Sequence, residues 1–151
     1  MAKLPDHPHV RTILRYYDGC NAADEALMRG TFTEDVVHYY LDHAPVRGRE
    51  GLARYWAKIG PRTGATWRCD HAIVHDDEAV IEWTMRWTPI GSDQPEVLRG
   101  TEWYTFRDGL IAEIRSYHCN HHLQSPDNYQ LRDFDYRGRG YALPDGPEDE
   151  R

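Results

Sequence analysis

Apolar positions recur at helical spacing early in the chain and alternate later. Val10, Ile13, Leu14 and Tyr17 fall three or four residues apart, which predicts a helix over 8–21 with Pro8 tolerated in its first turn. Residues 22–28 predict a second, short helix stopped by Gly30. The run Asp35 to Asp42 is rich in β-formers and predicts a strand. Residues 48–59 place Leu52, Tyr55, Trp56 and Ile59 on one helical face, and Gly60-Pro61 predicts that helix's end. Strand-like runs follow at 65–75, 79–89, 96–106 and 110–121.

The connections between these runs define an order. Asp76-Asp77-Glu78 is a turn, Pro89 to Pro95 a longer loop, and Asp108-Gly109 a hairpin signal. Helices followed by an antiparallel meander predict an α+β layer architecture. Along the last strand, Leu110, Ala112, Ile114, Ser116, His118 and Asn120 share one parity. That face starts apolar and ends in His and Asn, as a pocket wall would. The domain is expected to span 1–124. Residues 125–151 form an extension, with Leu131, Phe134, Tyr136 and Tyr141 spaced among Arg, Asp and Gly. It reads as a lid or dimer arm with a frayed end from Asp145 to Arg151, and Arg137-Gly-Arg-Gly-Tyr141 within it reads as a turn.

Composition narrows the function classes. At 151 residues the chain can bury a sizeable core, and its formal net charge of −7 gives no footprint for nucleic acid or an anionic membrane. It has no apolar run long enough to span a bilayer, and the N-terminus lacks a signal-peptide core. Cys20, Cys69 and Cys119 are widely spaced and odd in number, which fits reduced thiols and a cytoplasmic protein. Five Trp and ten Tyr supply material for a pocket around an apolar ligand.

The order of elements resembles the nuclear transport factor two-like superfamily, in particular its SnoaL-like and ketosteroid isomerase-like enzymes. The resemblance spans about residues 8 to 122. It rests on Arg15 to Asn21 with Asp24, Phe32 to His38, Val46 to Gly51 and the Phe106 to Ile114 hairpin. It implies a cone: three N-terminal helices packed on a curved, mostly antiparallel sheet around a deep apolar pocket, in a homodimer without cofactor. The ketosteroid isomerase pattern places its helix tyrosine on Tyr16 and its oxyanion-hole acid on Glu102. Its general-base aspartate falls on Tyr40, which cannot be a base at neutral pH. Scytalone dehydratase matches Tyr17-Asp18 on the helix and His71 on a strand.

Strand parity with this resemblance gives an inward set of His38, Tyr40, His71, Trp83, Met85, Trp87, Glu102, His118 and Asn120. The expected catalytic pair is His71, as base, with Asp18 fixing its tautomer. Tyr17 or Tyr40 would donate to the oxygen that gains charge, and His118 or Glu102 would assist the leaving group. Tyr16, His38, Trp83, Met85, Trp87, Ser116 and Asn120 would contact substrate. His38, His71 and His118 could converge as a metal triad, but nine histidines make chance clusters common, and neither metal nor cofactor is expected. The expected function is proton abstraction with elimination or isomerisation on a small apolar oxygenated molecule. A polyketide-cyclase-like aldol step and a non-catalytic binding or dimerisation module are the alternatives.

Overall fold

The computed structural model describes residues 3–118 and 131–141. Helices α1 (Pro8–Ala22), α2 (Glu25–Arg29) and α3 (Arg49–Thr63) pack against a six-stranded sheet. Its strands are β1 (Phe32–Tyr39), β2 (Val46–Arg47), β3 (Thr66–His75), β4 (Glu78–Trp87), β5 (Glu96–Arg107) and β6 (Leu110–His118). They lie in the order β2-β1-β6-β5-β4-β3, antiparallel except where β1 runs parallel to β6. The sheet is curved and open, with β2 and β3 as its edge strands among the described residues. This is the α+β architecture the sequence predicts, as a wrapped sheet and not a closed barrel.

Local chemistry explains the boundaries. Val10, Ile13, Tyr16, Tyr17 and Cys20 form the buried face of α1. The Asp24 side chain accepts from the Leu27 N–H at 2.9 Å and so starts α2 later than its apolar residues predict. The expected stop at Gly60-Pro61 is overrun, because Pro61 is exposed and removes a single helical N–H. Thr63 Oγ1, 2.9 Å from the Ile59 carbonyl, keeps that last turn bonded. At the β5–β6 hairpin, Asp108 and Gly109 have φ of 54° and 76°, as the tight two-residue turn requires.

Two β-bulges decide which side chains enter the core. In β3, Trp67 and Cys69 face the helices. The ladder then shifts between Cys69 and His71, and Ala72 and Val74 take over the inward positions. In β6, Thr105 pairs with Glu113 but Phe106 pairs with Ile111, leaving Ala112 as the extra residue. Ile111 therefore enters the core in place of Leu110, while Ile114, Ser116 and His118 keep the expected inward parity. A one-residue insertion reverses all side chains on one side of it.

The main core lies between α1, α3 and the concave sheet. A second cluster forms on the other face, where Leu131 and Phe134 cover Tyr39. Arg139 stacks on Phe134 at 4.1 Å and pairs with both Glu113 carboxylate oxygens at 3.0 and 2.8 Å. The described part of the C-terminal extension thus lies on the outer face of β1 and β6, and Arg137 to Gly140 form the expected turn.

Gly100 marks a close approach. It pairs with Trp83 on β4 and His118 on β6. A Cβ there would sit 2.6 Å from Trp83 Cζ2 and 2.8 Å from the Tyr117 carbonyl. Gly100→Ala is expected to destabilise the fold by about 1–3 kcal/mol, read by urea unfolding; an unchanged midpoint would mean that the Trp83 ring is not pinned there.

Candidate functional site

The concave face of the sheet and helices α1 and α3 enclose a cavity of about 160 Å³. Trp83, Met85 and Trp87 project from alternate positions of β4, and Leu98 and Glu102 from β5. Ser116 and His118 come from β6, Tyr16, Tyr17 and Cys20 from α1, and Tyr55 and Trp56 from α3. Tyr40, Asp42 and His43 enter from the segment after β1. The lining is mostly aromatic, with a few polar groups set among the rings.

Glu102 is the chemical centre of this cavity. It is 7 % exposed, and its carboxyl collects three hydroxyl donors. Tyr17 donates to Oε2 at 3.0 Å and Tyr104 to the same oxygen at 2.5 Å, while Ser116 donates to Oε1 at 2.7 Å. Burial pushes its pKa above the ordinary carboxylate range, and the three donors oppose that shift only in part. His38 Nε2 lies 2.6 Å from Ser116 Oγ. With the serine proton on Glu102, this nitrogen must carry the hydrogen and donate. Burial holds His38 well below the usual imidazole range, so it is neutral, and its 3.8 Å approach to Glu102 is no ion pair. His38 lies behind Ser116, stacked on Tyr40 at 4.0 Å, and does not line the cavity.

A second polar set stands on the α3 side. His43 Nε2 is 2.8 Å from the Tyr55 hydroxyl, and His43 Nδ1 is 3.5 Å from Asp42 Oδ1. Burial lowers the His43 pKa, with Asp42 opposing, and pushes Tyr55 up to about 12. The imidazole is bonded to a phenol through Nε2, while Nδ1, on the side of the carboxylate, has no hydrogen-bond partner among the described residues. Both buried thiols are held protonated by desolvation, Cys69 pushed up to about 12, so neither is a ready nucleophile.

Several lining groups lack an internal partner. The Tyr40 hydroxyl, the indole N–H groups of Trp56, Trp83 and Trp87, and His118 Nδ1 are buried with no hydrogen-bond partner among the described residues. His118 stands edge-on to Trp83 at 5.8 Å, and burial lowers its pKa.

The expected His71–Asp18 pair is not assembled. The Asp70 bulge turns His71 outward, where its Nδ1 bonds Glu82 at 2.7 Å with the imidazole 60 % exposed. Asp18 faces solvent on α1, and neither residue lines the cavity. With His71 outside, no histidine triad converges, and the described residues contain no group of three or more His, Cys, Asp or Glu placed to hold a metal. Asn120 lies outside the described residues. The structure does bring together Glu102, Tyr17, Ser116, Tyr16, Tyr40, His118, Trp83, Met85 and Trp87. Sequence reasoning missed Tyr104, although it shares Glu102's strand parity two residues on. It also missed Asp42, His43, Tyr55 and Trp56. Tyr55 and Trp56 were visible on the apolar face of α3, whereas Asp42 and His43 lie in a connection without periodicity.

Fold and site together define a sheet-wrapped, small-molecule-sized cavity with a buried carboxyl. A family model for the SnoaL-like domain matches residues 13–114, and the chain belongs to that family. No curated protein sequence matches it. A crystal structure of a protein of unknown function with a cystatin-like fold, from Methylobium petroleophilum PM1, is similar over 97 % of this chain and 99 % of that one. The two share 34 % identity, with a TM-score of 0.78. TerC, co-crystallised with polyporic acid, is similar over 78 % of this chain and 98 % of that one at 20 % identity and a TM-score of 0.67. A putative SnoaL-like polyketide cyclase from Jannaschia sp. CCS1 is similar over 78 % of this chain and 90 % of that one, at 20 % identity and a TM-score of 0.63. The last two likenesses show the fold alone.

The buried network has a pH signature. His38 is neutral in the fold but titrates near 6.5 when unfolded, so the stability it contributes is present above 6.5 and lost as pH falls toward its depressed native value. Glu102 has the opposite sign: its raised pKa makes stability fall as pH rises through the native value. His38→Asn should flatten the acid limb of a stability–pH curve by up to about 1.4 kcal/mol per pH unit. Chemical denaturation from pH 7 to 5 reads this, and parallel curves for the two proteins would contradict a neutral buried His38.

Proposed function

We propose that this protein is an acid–base enzyme acting on a small, apolar, oxygenated molecule held in the cavity, by proton abstraction leading to isomerisation or elimination. The observation that carries the reading is Glu102, a buried carboxyl at the wall of an aromatic cavity, fixed by Tyr17, Tyr104 and Ser116. A carboxyl with a raised pKa holds and releases a proton closer to neutral pH than an exposed one. Fixed donors also preorganise its charge. Tyr40, whose hydroxyl has no partner among the described residues, is the donor to the substrate oxygen that gains charge. His118, or His43 bonded to Tyr55, supplies the second proton-transfer group. The base role expected of His71 passes to Glu102. The reading calls on no metal or cofactor.

Membership of the SnoaL-like family supports a small-molecule ligand, as does the co-crystallisation of TerC with polyporic acid. One observation favours a non-catalytic binding module instead: Glu102, Tyr17, Tyr104 and Ser116 satisfy one another without a ligand. A polyketide-cyclase-like aldol step uses the same groups and would conserve mass, whereas dehydration loses water.

Solvent exchange separates catalysis from binding. Small ring ketones incubated with the protein in deuterium oxide should exchange the hydrogens beside the carbonyl about 10²–10⁴-fold faster than in buffer, followed by proton NMR. Glu102→Gln should abolish the acceleration with little change in the folded spectrum. No acceleration by the native protein, or full acceleration by the variant, would count against Glu102 as the proton-transfer group.

A further inference from the structure

The ladder of β1 ends at Tyr39, which pairs with Arg115 of β6. Residues 40–43 lie beyond the strand, yet Tyr40, Asp42 and His43 all line the cavity. A segment without ladder bonds keeps its side chains in place only if other contacts fix it. On the cavity side, Tyr40 stacks on His38 and His43 bonds Tyr55. On the outer side lie residues 131–141.

The Arg132 N–H donates to the Tyr40 carbonyl at 2.9 Å, where a further ladder bond would otherwise form. Leu131 and Phe134 are buried against Tyr39, with Leu41 packed beside them. Phe134 meets the Tyr39 ring edge-on at 5.1 Å. Tyr39 and Leu41 thus lie under the C-terminal segment, while Tyr40 between them reaches the cavity. The segment is itself anchored. Arg139 lies over the Phe134 ring at 4.1 Å and bonds both oxygens of Glu113 at 3.0 and 2.8 Å. The buried Arg115 stands 5.6 Å from the same ring and bonds the Tyr141 hydroxyl at 2.9 Å. A forked arginine–carboxylate pair and two cations against one ring fix direction as well as distance.

We propose that residues 131–141 are a clasp that positions the cavity wall from outside: by holding Tyr39 and Leu41, they fix Tyr40, Asp42 and His43 in place. Phe134 and Arg139 are its positioning residues, and neither touches the cavity. The proposal rests on the acid–base reading for the work Tyr40 and His43 do, but their placement can be measured without turnover.

His43 reports that placement. Around it stand Tyr40 and Asp42 on its own segment, Tyr55 on α3, His38 on β1, His118 on β6 and Arg132 on the clasp. Burial and the Arg132 charge oppose protonation of His43, whereas Asp42 favours it. Releasing the clasp weakens both opposing effects and leaves Asp42 next to the ring in sequence. The midpoint of His43 must then rise toward 6.5.

The test is a proton NMR titration of the His43 ring, assigned by loss of its signal in His43→Asn, in full-length Arg139→Ala and Phe134→Ala. Both should raise the midpoint, Phe134→Ala further. Ile111→Val, which loosens the main core away from the clasp, should leave it unchanged. Native midpoints in both clasp variants, or an equal rise in Ile111→Val, would overturn the proposal. If Phe134→Ala does not fold, Arg139→Ala, a change at an exposed side chain, decides alone. In the deuterium-exchange assay, Arg139→Ala should lower kcat about tenfold with KM within about threefold of native. Absence of exchange by the native protein would remove the acid–base reading only, since the titration still decides the clasp.

Discussion

A carboxyl group taken out of water needs donors or a proton, and Glu102 is surrounded by the means for both. Tyr17 reaches it from α1, Tyr104 from its own strand, and Ser116 from β6. One polar centre thereby ties the first helix to two central strands at the cavity wall. His38 extends the chain of hydrogen bonds into β1. Removing any one donor would leave a buried charge less compensated, so the network constrains the packing of α1 on the sheet as firmly as the apolar contacts around it.

The aromatic walls have a second effect. Tyr40 stacks on His38, and His43 meets Tyr40 edge-on at 4.0 Å before bonding Tyr55. Together these rings pack Tyr40, His43 and Tyr55 into one part of the cavity lining.

Much of this was legible in the sequence. The helical stripe of α1, the four long strands and the Asp108-Gly109 turn follow from periodicity and turn chemistry. Glu102, Tyr17, Ser116 and the Trp83–Met85–Trp87 face follow from strand parity joined to the family resemblance. The failures have one main physical source. Strand parity holds only between bulges, and Asp70 and Ala112 each insert a residue that reverses the faces beyond it. That is why His71 pairs with Glu82 in solvent instead of with Asp18. Nothing in Cys69-Asp70-His71 signals a bulge in advance. Asp42 and His43 were missed because a connecting segment has no period, so only the three-dimensional path of the chain after β1 brings them to the cavity.

The central claim is that Glu102 is a buried carboxyl whose proton is retained above the usual range. A carbon-13 NMR titration of labelled glutamate carboxyls, assigned by loss of the signal in Glu102→Gln, reads that proton directly. The account predicts one carboxyl with a midpoint clearly above 4.5, the ordinary glutamate value. A Glu102 signal that titrates at or below 4.5 would mean that the three donors outweigh burial, and that this site holds a structural carboxylate instead of a proton-transfer group.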